Sequence, residues 1–590
     1  MIKEKLAAIV SRAFAAACQQ GLLGAIPVET NECPAPIQIE KPRLPEHGDL
    51  ACGVALKLAG QAKIAPIKIA QAIAEQIGRE DEAQGTYLES VTVANPGFIN
   101  FKLGTGWLNE TISDVLSQGA SYGKPALGAG KKVLIEYVSA NPTGDLHIGH
   151  GRNAVFGSCL ANLLKFAGYQ VEEEFYINDA GEQIAQLGRC AFALYRILLD
   201  REVPYPTEGY PQEYLKEFLE QVVAQVGKQY LELSEEEGAV KLGDLTMKVI
   251  IEHQRVLLEK LHIKFDRWYS ERDLHAADKV ADVLSEFQKH GMSYESEGAL
   301  WLKTKELGDE RDRVLRKSSG STTYLANDSA YHLDKYRRGY DLMINIWGAD
   351  HHGQVPGLKG AMKALGVDET KLEVVLTQIV NLSRDGQIVR MSKRMGTVVM
   401  LGEVLDEVGV DAVRYYLAES SPQNSINFDL ELAKKTSREN PAFYIQYAHA
   451  RCCAILRRAL EPMQGTDGDK PAPFTASELN GFMAEYKSNP AVFQALYDSD
   501  SEVLAHQKAL VTRLESFPQE VLEAVETRQP GRLARYAFEL ANELQKFYEV
   551  SRVITDQLSV TKARLGLILA TKQVLSNALG IIGVSAPERM

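Results

Sequence analysis

No Cys-x-x-Cys pair occurs in this chain of 590 residues, and its seven cysteines are scattered apart from the neighbours Cys452 and Cys453. An odd count without framework spacing excludes a disulfide scaffold, fits a reducing compartment and gives no sign of structural zinc. No run of 18 apolar residues exists, so no transmembrane helix is expected. The Ala-rich N-terminus is not read as a signal peptide. Glu4, Lys5 and Arg12 break it, and Ile2, Leu6, Ile9, Ala13 and Ala17 trace one face of an amphipathic helix. Positive charge is also short. The 65 Lys and Arg against 78 Asp and Glu leave a net charge of −13, which argues against bulk electrostatic binding of nucleic acid. The deficit lies upstream: from residue 441 onwards, 16 Lys and Arg meet 17 Asp and Glu. That part is the least repulsive towards a polyanion. Internal repeats and low-complexity tails are missing too.

The length suggests three or four domains, and 45% apolar with 24% charged residues is ordinary for a globular chain. The informative stretch is 139–152, Ser-Ala-Asn-Pro-Thr-Gly-Asp-Leu-His-Ile-Gly-His-Gly-Arg. It follows an apolar run at 133–138 and precedes a helical pattern. A strand that turns into a helix makes a phosphate site, because the helix N-terminus offers unpaired N–H groups and partial positive charge. His147 and His150 then stand one above the other, with Gly149 admitting a flat ring or a phosphate to the backbone. A His-x-Gly-His tetrapeptide arises by chance in roughly 2 of 100 chains of this composition, so its context has to carry the argument.

With that context, the stretch resembles the HIGH signature of class I aminoacyl-tRNA synthetases, and the longer frame back to Glu136 is similar to the arginyl version. A second basic pentapeptide, Arg390-Met391-Ser392-Lys393-Arg394, resembles the KMSKS signature of the same class. Arg390 stands where that pattern has its first Lys and Arg394 where it has Ser, while Lys393 is retained. Segments 45–51, 95–100, 178–183 and 586–590 also resemble the arginyl family, so the likeness covers essentially the whole chain.

The resemblance and the patterning together give an α/β fold. A Rossmann-like, doubly wound parallel-sheet catalytic domain (131–435) is flanked by an N-terminal α+β module (1–117) and an all-α C-terminal helical bundle (436–590). The Gly-rich stretch 119–130 reads as a linker. Strands are expected at 133–138, 171–177, 341–347 and 372–380. A helix-rich insertion is expected over about 184–320, and a mobile signature loop over 383–396. By resemblance, the N-terminal module touches the tRNA elbow and the bundle binds the anticodon.

Amino-acid activation attacks the α-phosphate of ATP with a carboxylate that is already ionised, so positioning and charge stabilisation are needed rather than a base. By resemblance, His147, His150 and Lys393 are the catalytic groups. The ATP site adds Gly149, Gly348, Asp350, His351, Met391 and Ser392. Mg²⁺ accompanies ATP, with no acidic cage evident for it, and no zinc is implied. A guanidinium pocket calls for carboxylates with a planar partner. Glu136, inside an apolar strand, and Tyr324 with Asp328, four apart, match the family's side-chain contacts. Ser139, Asn141 and His150 complete the arginine set. His352 beside Asp350 and His351 raises a metal reading, which lacks further ligands at metal spacing. Tyr444, Tyr447 and Arg451, with His449 on the same helix, are candidates to stack on tRNA bases.

The resemblance implies a monomeric, cytosolic arginine–tRNA ligase whose partners are ATP, arginine and tRNA(Arg), and in which activation waits for tRNA. Alternatives are a glutamyl, glutaminyl or cysteinyl member of the class, a small nucleotidyltransferase, or an inactive tRNA-binding relative. Missing zinc-ligand cysteines oppose the cysteinyl case, and a carboxylate-lined pocket opposes an anionic side chain. Nucleotidyltransferases are far shorter, and intact His147, His150 and Lys393 oppose an inactive chain.

Overall fold

The first helix, Ile2–Gln19, buries Ile2, Leu6, Ile9, Ala13 and Ala17, the face read from the sequence. It belongs to a computed structural model that describes residues 2–23, 33–42, 44–79, 87–389, 399–462, 472–497 and 499–590. The helix packs on Pro66–Arg79 beside an antiparallel sheet of β1 (Ile39–Glu40), β2 (Leu50–Cys52), β3 (Leu88–Ala94) and β4 (Phe98–Leu103). The sheet runs in the order β1-β2-β4-β3.

The five-stranded sheet is fully parallel. Its strands are β5 (Lys132–Glu136), β6 (Gln170–Ile177) and β7 (Arg267–Ser270), and, after a small antiparallel sheet of β8 (Ser293–Ser296), β9 (Ala299–Leu302) and β10 (Arg313–Arg316), β11 (Leu342–Gly348) and β12 (Leu372–Thr377). The order β12-β11-β5-β6-β7 reverses direction between β5 and β11, so ligands are expected at the carboxyl ends of those two strands. Val133, Leu134 and Ile135 are buried because helices cover both faces.

Two sequence readings change here. The span expected as one insertion contains β7, a true edge strand of the parallel sheet. Four residues, Arg-Trp-Tyr-Ser, are too short and too polar to show a strand period. The strand expected at 372–380 divides. Its second part becomes β13 (Val380–Arg384), which pairs with β14 (Gln387–Val389) and β15 (Ile426–Asp429) in a separate sheet.

From Pro441 the chain is helical, and this bundle packs closely on the parallel-sheet part. Its last helix, Leu558–Ile582, is long and apolar enough to cross a membrane, with a mean hydropathy of 1.5 over its best window. That window is 67% buried, because the helix is the spine of the bundle. It also packs on the helix Ile148–Phe166, with Cys159 Sγ at 3.2 Å from Ile582 O and Asn162 donating to Ile581 O at 3.3 Å. The stretch read as a linker is pinned as well. Pro518, inside Ser501–Thr527, lacks the N–H that Leu514 O would accept, and the Tyr122 hydroxyl donates to that carbonyl at 3.1 Å.

Arg414 joins the parts most directly. Fully buried, it donates to Leu261 O at 2.6 Å, Ile582 O at 3.1 Å and Ser158 Oγ at 3.2 Å. Gly583, at φ +67°, leaves it room: a Cβ there would lie 2.1 Å from Arg414 Nη2. Arg414→Met would strand several acceptors in a dry core, at a cost of about 3 kcal/mol or more. Calorimetry is expected to show a clearly lowered Tm for Arg414→Met and for Gly583→Ala. Unchanged transitions in both would show that the junction carries little stability.

Candidate active site

The turn between β5 and the helix Ile148–Phe166 is strained and heavily tied. Val138 and Ser139 hold φ of +68° and +40°, a region that non-glycine residues avoid, above all β-branched ones. Val138 N donates to Asn153 Oδ1 at 2.6 Å, and Asn153 Nδ2 reaches Ile346 O in β11 at 2.9 Å. Asn153 therefore stitches the two strands that diverge at the switch point. The Ser139 hydroxyl donates to Glu136 Oε1 at 2.8 Å and accepts from Tyr176 N at 3.2 Å.

His147 is the N-cap of the helix. Its Nδ1 accepts from Gly149 N at 3.1 Å and His150 N at 3.3 Å, while His150 Nδ1 accepts from His147 N at 3.2 Å. This is a capping box built from two histidines. Their rings stack at 3.6 Å. Burial lowers the proton affinity of both, partly offset at His147 by Asp350, and takes His150 down to about 3. Both are therefore neutral at pH 7. Because each Nδ1 accepts, each ring carries its proton on Nε2, which leaves two aligned Nε2–H donors at a helix N-terminus. A Cβ on Gly149 would lie 3.0 Å from the His147 ring, so this glycine admits the capping imidazole as well as any ligand.

Gly348 ends β11, and Asp350 and His351 follow in an exposed turn, 3.5 Å apart. His352 is exposed, and among the described residues no group of three His, Cys, Asp or Glu side chains converges at metal distance. Arg390, Met391, Ser392, Lys393 and Arg394 lie outside the described residues. The flanks of that segment are described. Val389 ends β14, and on the far side Val399 O accepts from Ile148 N at 3.1 Å while Leu401 N donates to Leu146 O at 2.9 Å. From Val399 the described chain thus lies on the backbone beside His147.

The second half of the site is acidic. Glu136 is buried and pairs with Lys335 at 2.5 Å, and Lys335 also donates to Asn345 Oδ1 at 3.2 Å. Asn345 contacts His332 at 2.6 Å, and His332 contacts Asp328 O at 2.7 Å. Asp328 lies on the helix Tyr324–Arg337 with its carboxyl pushed up to about 7, first by burial and then by Glu136 and Glu271. Glu271, buried at the end of β7, is raised as well, chiefly by burial, although Asn327 donates to it at 2.7 Å. Burial raises the Tyr176 phenol first, followed by the charges of Glu271, Asp328, Glu136 and Asp179, which all act on it. Asp179 is spoken for by Ser270 Oγ at 2.6 Å and Arg272 N at 3.0 Å. Tyr324, one turn before Asp328, is 69% exposed at the helix start. Asn141, on the rim, bonds Gln183 at 2.9 Å and Asn178 at 3.1 Å, both from the segment 178–183.

Sequence reasoning named Glu136, Ser139, Asp328 and Tyr324, and around them the structure places Glu271, Lys335, Asn153 and Asn345, which it did not name. A Glu directly after a four-residue strand and a Lys on a helix give no local signal. Arg152 proves structural: its guanidinium is spread over the carbonyls of Gln378, Ile379, Ser421, Pro422 and Asn424. The candidate nucleic-acid face also changes. Tyr444 is buried and packs on Phe538 in the bundle core, and His449 is buried against Pro587 O. Tyr447 and Arg451 remain at the surface, with the guanidinium 4.6 Å over the Tyr447 ring and 4.8 Å over Tyr548.

A parallel sheet with this switch point and a histidine-capped helix after its first strand are the features of a class I aminoacyl-tRNA synthetase catalytic domain. The family model "tRNA synthetases class I (R), catalytic domain" matches residues 111–436, "Arginyl tRNA synthetase N terminal domain" matches 1–103, and "DALR anticodon binding domain" matches 445–590. The "Arginine–tRNA ligase" of Desulfitobacterium hafniense is 42% identical over 94% of this chain and 93% of its own. That of Desulforamulus reducens is 41% identical over 100% and 99%. The Thermus thermophilus arginyl-tRNA synthetase shares the fold across the full length of both chains, with a TM-score of 0.69 at 21% identity. The chain belongs to the arginyl-tRNA synthetase family.

Proposed function

We propose that the chain is an arginine–tRNA ligase, which makes arginyl-adenylate from ATP and arginine and passes arginine to the 3′-terminal ribose of tRNA(Arg). The observation that carries this reading is the meeting, at one switch point, of two neutral Nε2–H donors on a helix start with a buried carboxylate pocket. His147, His150 and Gly149, with Lys393, face the ATP phosphates. Gly348, Asp350, His351, Met391 and Ser392 complete the ATP site, and Mg²⁺ arrives with ATP. Asp328 and Glu271 take the guanidinium against Tyr324. Glu136, held by Lys335, orients Ser139, and Asn141 receives the α-amino and carboxylate end. Tyr447 and Arg451 offer tRNA a stacking face. The enzyme works as a cytosolic monomer. Pyrophosphate exchange run with each of the twenty amino acids, with and without total tRNA, tests this reading. Arginine alone is expected to support exchange, and tRNA is expected to be required. Exchange with another amino acid in place of arginine would overturn it.

The pocket also sets a pH dependence. A guanidinium favours ionised Asp328, whose carboxyl stands at about 7 without ligand. Below that value binding must expel a proton, so affinity falls by up to about tenfold per pH unit. The KM for arginine should therefore rise as pH drops from 8 to 6, and calorimetry in buffers of different ionisation enthalpy should record proton release. Asp328→Asn should flatten the profile. A flat wild-type KM over this range would contradict the assignment.

A further inference from the structure

Two helices of the inserted segment grip the turn that leads to His147. Gln254, on Glu235–Lys260 and 1% exposed, donates through Nε2 to Gly144 O at 2.7 Å and Asn141 O at 3.2 Å. On Gln212–Val226, Tyr214 fills the notch that Gly144 leaves: a Cβ there would lie 1.0 Å from the phenol oxygen. Burial and the Asp145 charge raise the Tyr214 phenol to about 12, against a bond from the Asp145 main chain. His253, next to Gln254, stands 4.0 Å from Asp145, contacts Gln221 at 2.8 Å and meets the Phe218 ring edge-on at 5.1 Å. Both ends of the turn 141–145 are thus fixed by one helix pair that contributes nothing to the parallel sheet.

We propose that Gln254, supported by Tyr214, is a positioning residue for activation: the inserted helices clamp the turn and so set where the Nε2–H group of His147, the histidine next to that turn, points. The inference rests on the ligase reading above. A turn that ends in Gly144 and begins beside strained Ser139 has backbone freedom to tilt, and a displacement well under 1 Å is enough to misalign a donor aimed at a developing charge. The clamp touches no substrate atom, so its loss acts through His147. It also makes the insertion a lever, since anything that moves these helices moves the turn.

Gln254→Met keeps the length of the side chain and removes its donor. In tRNA-supplemented pyrophosphate exchange it is expected to lower kcat about tenfold, with the KM for ATP and arginine within threefold of wild type. Placed on a His147→Ala background, the same change is expected to cost less than twofold, because the group it positions is gone. Tyr214→Phe, which loses only the hydroxyl, should lower kcat about threefold and fall equally silent on that background. It serves as the readout if Gln254→Met does not fold. Wild-type exchange reports on the ligase reading, and the variant-to-wild-type ratio reports on the clamp. A kcat within twofold of wild type in the folded variants, or a full loss that persists on His147→Ala, would overturn the proposal.

Discussion

His150→Ala is expected to lower the rate of arginine activation by roughly 10²- to 10³-fold, and His147→Ala to do the same, the range found when preorganised donors to a developing charge are removed. Each residue serves twice, because its Nδ1 caps backbone N–H groups while its Nε2–H is free to face phosphate. The alanine variants therefore also lose a cap, worth about 1 kcal/mol of stability. Asn separates the roles: its amide oxygen reproduces the Nδ1 acceptor but reaches no donor to the Nε2 position. His147→Asn should melt close to wild type and still lose most of the rate. Burial holds both rings below the usual imidazole range, and His150, which titrates near 3, is expected to leave no ionisation in the pH–rate profile above pH 6. Rates within threefold of wild type in the alanine variants would make the histidine pair a cap and nothing more.

The second large effect concerns amino-acid choice. Asp328→Asn is expected to raise the KM for arginine by one to two orders of magnitude, since losing a charge-assisted contact costs roughly 1.5–3 kcal/mol. The KM for ATP should stay nearly unchanged, because Asp328 lies on the helix Tyr324–Arg337, which packs on the other face of the sheet from the capped helix Ile148–Phe166. Glu271→Gln should act in the same direction. The free variants should be at least as stable as wild type, because each removes one of several mutually repelling carboxylates. A raised KM for ATP with an unchanged KM for arginine would assign Asp328 to the wrong ligand.

What was legible in the sequence was whatever lies close together along the chain. His147, Gly149 and His150 announce themselves in four residues, and the doubly wound order follows from strands alternating with helices. The pocket was only half legible, because its charge balance is set across long separations. Glu136 meets Lys335, which also bonds Asn345, and Asp328 feels the charge of Glu271, only when the sheet is assembled. Helical spacing placed Tyr444, Tyr447 and Arg451 on one helix but could not say which residue faced the core. Tyr444 went inside because Phe538 waits there. Arg152 sits in the signature frame yet serves carbonyls alone, so its place in a motif did not reveal its work. The bundle read as a separate domain, while Arg414 and the helix Leu558–Ile582 join it to the catalytic core. Removing 441–590 would therefore damage the core along with any tRNA surface.

The most direct test is charging. The full chain, incubated with ATP, Mg²⁺ and a tRNA(Arg) transcript, is given each labelled amino acid in turn. Arginine is expected to become esterified to the 3′-terminal ribose, with one AMP and one pyrophosphate formed per ester and no label from the other nineteen. Absence of arginyl ester on an intact transcript, or esterification of a different amino acid, would contradict the account at its centre.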